Sequence, residues 1–237
     1  MRIVAITAVV LALTTITAAL FFLQTEEIEQ TQISANKRSL EQQAGTRYQS
    51  VALQLTPVLK EISPPVIQGA NGIWGATGRD DTGHIWLGVS GSGNDPAHLV
   101  EFDPELDRFI DHGDAVSALR SAGIYREGEE QVKIHSKIIQ MDDGWLYFAS
   151  MDETGENSKS GQLPRWGSHF WRYNPSADHW QHLFAAPEGL IAVSGVGRFV
   201  YSLGYWGHVL YRYDILTGES RQIRVGSEGG HISRNLI

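Results

Sequence analysis

The strongest constraint on the fold is an internal repeat that occupies the chain after residue 68. One half of the repeat is a turn rich in Asp and Gly followed by an apolar strand, and it occurs at residues 80–88, 142–149 and 196–202. Asp and Gly supply the positive φ angles of tight hairpins. Aromatic and β-branched residues favour strands. The repeat therefore predicts antiparallel hairpins.

The other half of the repeat is a strand that ends in an aromatic residue followed by Asp or Asn. Its copies, each followed by a short fourth strand, are residues 98–104, 169–175 and 210–214, with fourth strands at 108–110, 179–183 and 220–223. Four short antiparallel strands per unit are typical of a propeller blade. We therefore predict an all-β fold with a β-propeller of four-stranded blades over residues 69–237; an irregular β-sandwich is the alternative.

The number of repeats predicts an incomplete propeller. About three blades precede residues 231–237, which align without a gap on residues 133–139 and resemble the innermost strand of another blade. Propellers close with about 4–8 blades, and an unclosed one leaves an exposed edge. The sequence is therefore interpreted as a fragment of a longer protein, with closure by oligomerisation as the alternative.

The N-terminus, residues 1–23, is interpreted as a targeting element. Residues 3–23 carry no charge and, as a helix, would span about 31 Å, enough for a bilayer core of about 30 Å. Arg2 precedes this run and favours export of the rest. An uncleaved signal-anchor is predicted, with a cleaved signal peptide as the alternative. The remainder would face the periplasm or cell exterior, anchored to the membrane, or secreted if the N-terminus is cleaved.

Residues 24–68 are predicted to be a stalk or linker. Residues 24–45 are polar and fit no apolar stripe, which indicates a helical or disordered stalk. Apolar spacings of three and four over residues 48–62 indicate a short amphipathic helix, although residues 51–55 also fit a strand. Pro64 and Pro65 end this segment.

Composition excludes several classes of function. The formal net charge is −8, which argues against a nucleic-acid partner because such partners require a basic face. The chain has no Cys, so disulfides, Cys-based zinc sites, iron–sulfur clusters and Cys nucleophiles are excluded.

His135 is the main candidate for chemistry. It lies near the start of a predicted inner strand between Lys133 and Lys137, where an imidazole could act as a general base or metal ligand. The alternative is a histidine hydrogen-bonded within its blade. His231 falls near the start of the next predicted inner strand, so both are named as candidate catalytic residues.

Candidate ligand-binding residues lie on inner strands and on long loops at the same rim. Loop 152–168 is longer than packing requires, which indicates either binding or a surface insertion. The candidates are Lys133, Lys137, Arg165, Trp166, Tyr205, Trp206 and Asn235. By contrast, the Asp pairs at 80–81 and 142–143 are interpreted as turn residues rather than calcium ligands. The recurrence of His98 and His169 is attributed to the blade pattern.

The repeat motifs resemble those of exported bacterial propellers of the streptogramin lyase and SMP-30/gluconolactonase superfamilies. The resemblance covers residues 70–237. A streptogramin-lyase-like site implies channel-facing His and Glu with magnesium, for which His135 and His231 would be the His counterparts. A gluconolactonase-like site implies a divalent metal bound by Glu, Asn and Asp, to which Asn235 would belong.

Two hypotheses of function follow. One is a membrane-tethered binding or scaffold module for a carbohydrate or small molecule, with aromatic loops as the contact surface. The other is a propeller lyase or lactonase-like enzyme acting on a sugar-derived substrate, which could require a divalent metal. The sequence identifies neither the ligand nor the metal.

Overall fold

The computed structural model describes residues 59–157 and 159–226, which form three antiparallel sheets and one short helix. The predicted all-β class is confirmed. Within each sheet, neighbouring strands follow one another in the sequence, apart from one interruption in the second sheet. This order is the one that successive hairpins produce.

Sheet 1 begins with the Asp-rich hairpin. It contains β1 (Thr77–Arg79), β2 (Ile85–Val89), β3 (His98–Asp103) and β4 (Arg108–Asp114). Asp80 Oδ1 accepts hydrogen bonds from the backbone N–H groups of Thr82 and His84, and Gly83 has φ 96°. The Asp80 carboxylate therefore serves the turn, as predicted.

Sheet 2 has a divided first strand. It contains β5 (Lys133–Ile134), β6 (Ile139–Gln140), β7 (Leu146–Asp152), β8 (Gly167–Asn174) and β9 (His179–Ala186), and both β5 and β6 pair with β7. Between them, Ser136 Oγ accepts a hydrogen bond from the Ala149 N–H at 2.8 Å. A side chain thus replaces backbone pairing there. The predicted four strands per repeat are correct for sheets 1 and 3 and wrong for sheet 2.

Sheet 3 contains β10 (Leu190–Val196), β11 (Phe199–Gly204), β12 (Val209–Asp214) and β13 (Ser220–Arg224). The first hairpin turns at Gly197, whose φ is 56°. All five residues of the edge strand β13 are exposed.

The helix α1 (Ala115–Ser121) follows β4 and was not predicted from the sequence. Asp114 caps its N-terminus: its Oδ1 accepts from the Ser117 N–H at 2.7 Å. Such a cap satisfies a backbone donor that has no partner within the helix. Ala115, Ala118 and Leu119 are buried, so the helix covers one side of the core.

Sheet 2 is buried on both faces, and successive residues of its strands point to opposite faces. On β7, Leu146 and Phe148 join a core with Trp86 of sheet 1, whereas Tyr147 and Ala149 join a second core with sheet 3. The large buried side chains of the two cores are Trp86, Leu99, Phe148, Trp171 and Tyr173 in the first, and Tyr147, Phe170, Leu190, Val193 and Val200 in the second.

Several N-terminal predictions lie outside the described residues. These include the targeting element at 1–23 and the stalk up to residue 58. Residues 59–62, the described part of the predicted short helix, form no regular secondary structure. Across 59–157 and 159–226, no helix has the length and apolar character needed to cross a bilayer.

Candidate functional site

The loops at one end of the sheets form the candidate site. Because neighbouring strands are antiparallel, the loop before the first strand of a sheet and the loop between its second and third strands lie at the same edge. We call these loops the loop rim: residues 69–76, 90–97, 122–132, 153–166, 187–189 and 205–208. Sheets 1 and 2 are joined there, since the Gly91 N–H donates to the Val132 carbonyl at 2.8 Å.

Trp74 lies on the loop rim beside a charged side chain and an imidazole. Lys133 Nζ lies 5.4 Å from the centroid of its indole, and the His135 ring meets it edge-on at 6.3 Å. Lys133 Nζ also pairs with Glu153 Oε2 at 2.5 Å. Because 46% of Trp74 is exposed, an aromatic surface remains open beside these charged groups.

The structure thus brings together two of the predicted residues, Lys133 and His135, and adds Trp74 and Glu153. The sequence reasoning missed these two. A tryptophan just ahead of a first strand and beside Gly75 was the available signal for Trp74. Lys137 is exposed in the break between β5 and β6, and no contact joins it to this group.

Arg165 and Trp166 lie elsewhere on the loop rim and pack on each other. The Arg165 guanidinium lies 4.5 Å from the Trp166 ring centroid, and Arg126 lies 5.8 Å from it. Trp166 Nε1 donates to the Gly128 carbonyl at 3.0 Å. This hydrogen bond therefore connects loop 153–166 to loop 122–132.

Tyr205 and Trp206 are positioned by a buried carboxylate. Glu188, 2% exposed, accepts through Oε2 from the backbone N–H groups of Trp206 at 2.9 Å and Gly207 at 2.5 Å. A side chain at Gly204 would overlap Glu188 Oε1. The two aromatic rings contact each other edge-on at 4.3 Å.

Three titratable side chains, of which Glu129 and His169 are buried and His182 is partly buried, form a hydrogen-bonded chain. His169 Nε2 lies 2.7 Å from Glu129 Oε1, and His169 Nδ1 lies 2.9 Å from His182 Nε2. Gln131 extends the chain by donating to Glu129 Oε1 at 3.0 Å and accepting from Ser150 Oγ at 2.7 Å. His169, attributed above to the blade pattern, is therefore the middle of an acid–imidazole–imidazole chain.

The end of this chain carries a neutral imidazole at neutral pH. Burial, assisted by the neighbouring His169, lowers the pKa of His182 from 6.5 to about 4. A hydrogen bond to the Phe184 backbone opposes this shift but does not cancel it. His182 is therefore built to stay uncharged in the folded protein.

This low pKa predicts loss of stability in mild acid. Between pH 6.5 and about 4 the unfolded chain protonates His182 while the folded chain does not, so the free energy of unfolding falls as pH decreases. Above pH 6.5 the contribution is fully present. Urea midpoints measured at pH 7 and pH 5 should differ less in His182→Gln than in the parent chain.

The matched control for this measurement is Gln181→Ala, which changes a neighbouring non-titratable side chain on the same strand. It should retain the pH dependence of the parent. An unchanged difference between the midpoints in His182→Gln would contradict the assignment to His182.

The remaining predicted residues, His231 and Asn235, lie outside the described residues. Within residues 59–157 and 159–226, no group of three or more His, Asp or Glu side chains is placed to share a metal ion.

Comparison with solved structures finds partial similarity to chains longer than this one. They include the extracellular domain of a hybrid two-component system from B. thetaiotaomicron, at 13% identity and TM-score 0.48, over 70% of this chain and 19% of that one. A nidogen/laminin complex chain matches at 8% identity and TM-score 0.41, over 63% and 46%.

A third similar structure is an auxiliary nutrient-binding protein from Bacteroides thetaiotaomicron, at 14% identity and TM-score 0.31, over 70% of this chain and 44% of that one. The chain thus spans less than half the length of each of these proteins. No protein-family model and no curated protein matches the sequence. The resemblance to the lyase and lactonase superfamilies stays a prediction.

Proposed function

We propose that the chain is an extracytoplasmic ligand-binding module, tethered through residues 1–23, whose three sheets are consecutive blades of a β-propeller. The blade assignment is supported by the strand order within each sheet and by the burial of sheet 2 on both faces. Propeller blades are four-stranded antiparallel sheets that pack face to face around an axis.

We propose that the ligand is a carbohydrate or another small polyhydroxylated molecule bound at the loop rim. The observation that carries this proposal is the half-exposed indole of Trp74 beside Lys133, His135 and Glu153. An aromatic face suits the apolar face of a sugar ring, and charged or imidazole groups bind its hydroxyls. The pairing of Lys133 with Glu153 offers both a donor and an acceptor.

Binding to a panel of immobilised mono- and oligosaccharides, followed by calorimetry on any hit, tests this function. Trp74→Ala is expected to weaken binding at least about tenfold, which corresponds to about 1.4 kcal/mol. Trp145→Ala is the control, because Trp145 packs under Arg172 in the hairpin before β7, away from the loop rim. Equal affinity in Trp74→Ala and the parent, or no bound saccharide, would overturn the proposal.

Enzymatic turnover is the second candidate, and one observation favours it. His135 and Lys133 contact the same indole, so a base and a cation would meet the same ligand. If a bound saccharide is consumed, His135→Ala should stop the reaction. Turnover that persists in His135→Ala would remove His135 as the base.

A further inference from the structure

A second concavity, of about 600 Å³, lies between the outer strands of sheets 1 and 2. It is lined by the end of β4, by helix α1 and by the start of β9. Its volume is in the range of small-molecule sites. No residue of the Trp74 group lines it, so it is distinct from the site proposed above.

The lining of this cavity is acidic and aromatic. It includes the carboxylates of Asp114 and Asp178, the indole of Trp180 and the imidazoles of His112, His179 and His182, and it contains no Lys or Arg. Asp114 is committed to helix α1, since both its oxygens accept from Ser117. Asp178 is the carboxylate that remains for a ligand.

One oxygen of Asp178 is held by neighbouring side chains, and the other faces outward. Its Oδ1 accepts from the Tyr173 hydroxyl at 2.6 Å and lies 3.0 Å from His112 Nδ1. Its Oδ2 makes no hydrogen bond to the described residues, and 74% of the side chain is exposed. The hydrogen bond from Tyr173, followed by that from His112, lowers the pKa of Asp178, so the group is ionised at neutral pH.

The turn that carries Asp178 does not itself need a carboxylate. Asp178 has φ 47°, and the same turn position is Asp107 in sheet 1, with φ 52°, and Gly218 in sheet 3, with φ 72°. Glycine thus fills this left-handed position in sheet 3. The acid at 178 adds a fixed negative charge that the backbone conformation does not require.

Trp180 is fixed beside this charge. Its Nε1 donates to the His112 carbonyl at 2.9 Å, and its ring packs edge-on against Trp171 at 5.5 Å and Phe148 at 5.1 Å. An indole next to a carboxylate is the combination that attracts an organic cation, through the π-system and the charge together.

We propose that this cavity binds a small molecule bearing a primary ammonium group. The ammonium donates to Asp178 Oδ2, and the carbon skeleton lies against Trp180. Ammonium groups have three donors and no acceptor, which matches a lining that offers the Asp178 Oδ2 oxygen and contains no Lys or Arg.

The test compares paired probes that differ in charge. Glucosamine and ethanolamine are titrated against glucose and ethylene glycol, with the Trp180 indole N–H signal followed by NMR. The ammonium compounds should shift this signal, and the neutral compounds should not. Asp178→Asn, which keeps shape and tolerates the left-handed backbone, should weaken amine binding at least tenfold.

Two further variants make the outcome decisive. Asp178→Gly reproduces the turn residue of sheet 3, so it should fold and yet lose amine binding, while Trp74→Ala should bind amines as the parent does. Equal shifts with the neutral probes, or undiminished amine binding in Asp178→Asn, would overturn the proposal. Loss of amine binding in Trp74→Ala would instead assign it to the loop rim.

Discussion

Replacing Trp86 with Ala is expected to lower the free energy of unfolding by about 3–5 kcal/mol. Trp86 is fully buried between sheets 1 and 2, where its ring contacts those of His112 at 5.1 Å and Tyr173 at 5.5 Å. Its Nε1 also donates to Asp80 Oδ2 at 2.8 Å. The change removes apolar burial, opens a cavity and takes away one of the donors to the Asp80 carboxylate.

Urea denaturation followed by circular dichroism measures this loss. Trp74→Ala is the control, because it also removes a tryptophan side chain, but from a half-exposed position. It should cost less than about 1 kcal/mol. Similar losses in the two variants would show that Trp86 does not anchor the interface between the sheets.

Replacing Glu188 with Ala is expected to cost about 2–4 kcal/mol and to free the loop that carries Tyr205 and Trp206. The backbone N–H groups of Trp206 and Gly207 would lose their acceptor, and each partly buried donor left unsatisfied costs about 1–3 kcal/mol. Amide exchange at Trp206 and Gly207, measured by NMR, should become faster in this variant. Urea denaturation measures the loss of stability.

Two matched variants separate the carboxylate from its shape. Glu188→Gln retains one acceptor oxygen and should fall between Glu188→Ala and the parent. Glu219→Ala removes an exposed carboxylate from the same sheet and should change stability by less than about 0.5 kcal/mol. Slow exchange at both amides in Glu188→Ala would show that the loop does not depend on this acceptor.

The hairpins could be predicted from the sequence because their determinants are local. Asp80 and Gly83 are three residues apart, and each acts through its own backbone or that of its neighbours. The interruption after β5 could not be predicted. It depends on Ser136 reaching Ala149, a contact that exists only once β7 is in register.

The candidate site was predictable in part for the same reason. His135 and Lys133 lie on one short segment, so their proximity follows from the chain. Trp74 joins them only because sheet 1 packs against sheet 2, and Glu129 meets His169 across 40 positions of sequence. No local pattern encodes such contacts.

The contact of His182 with His169 depends on a further feature, an irregularity in strand pairing. The pairing of β8 with β9 shifts by one residue between Phe170 and Trp171, which brings His182 opposite Trp171. Without this bulge, the alternation of β9 would place a different side chain next to His169. A one-residue irregularity of this kind cannot be derived from the repeat, which is regular.

The exposure of β13 has a consequence for how the protein behaves at high concentration. An edge strand with free backbone groups can recruit a strand from another molecule and start aggregation. Arg221 and Arg224 lie on this strand, and Ile223 between them is its single large apolar residue. Charged side chains on an edge strand disfavour such pairing. We therefore expect Arg224, and Arg221 beside Glu219 at 3.7 Å, to oppose the addition of a second copy at this edge.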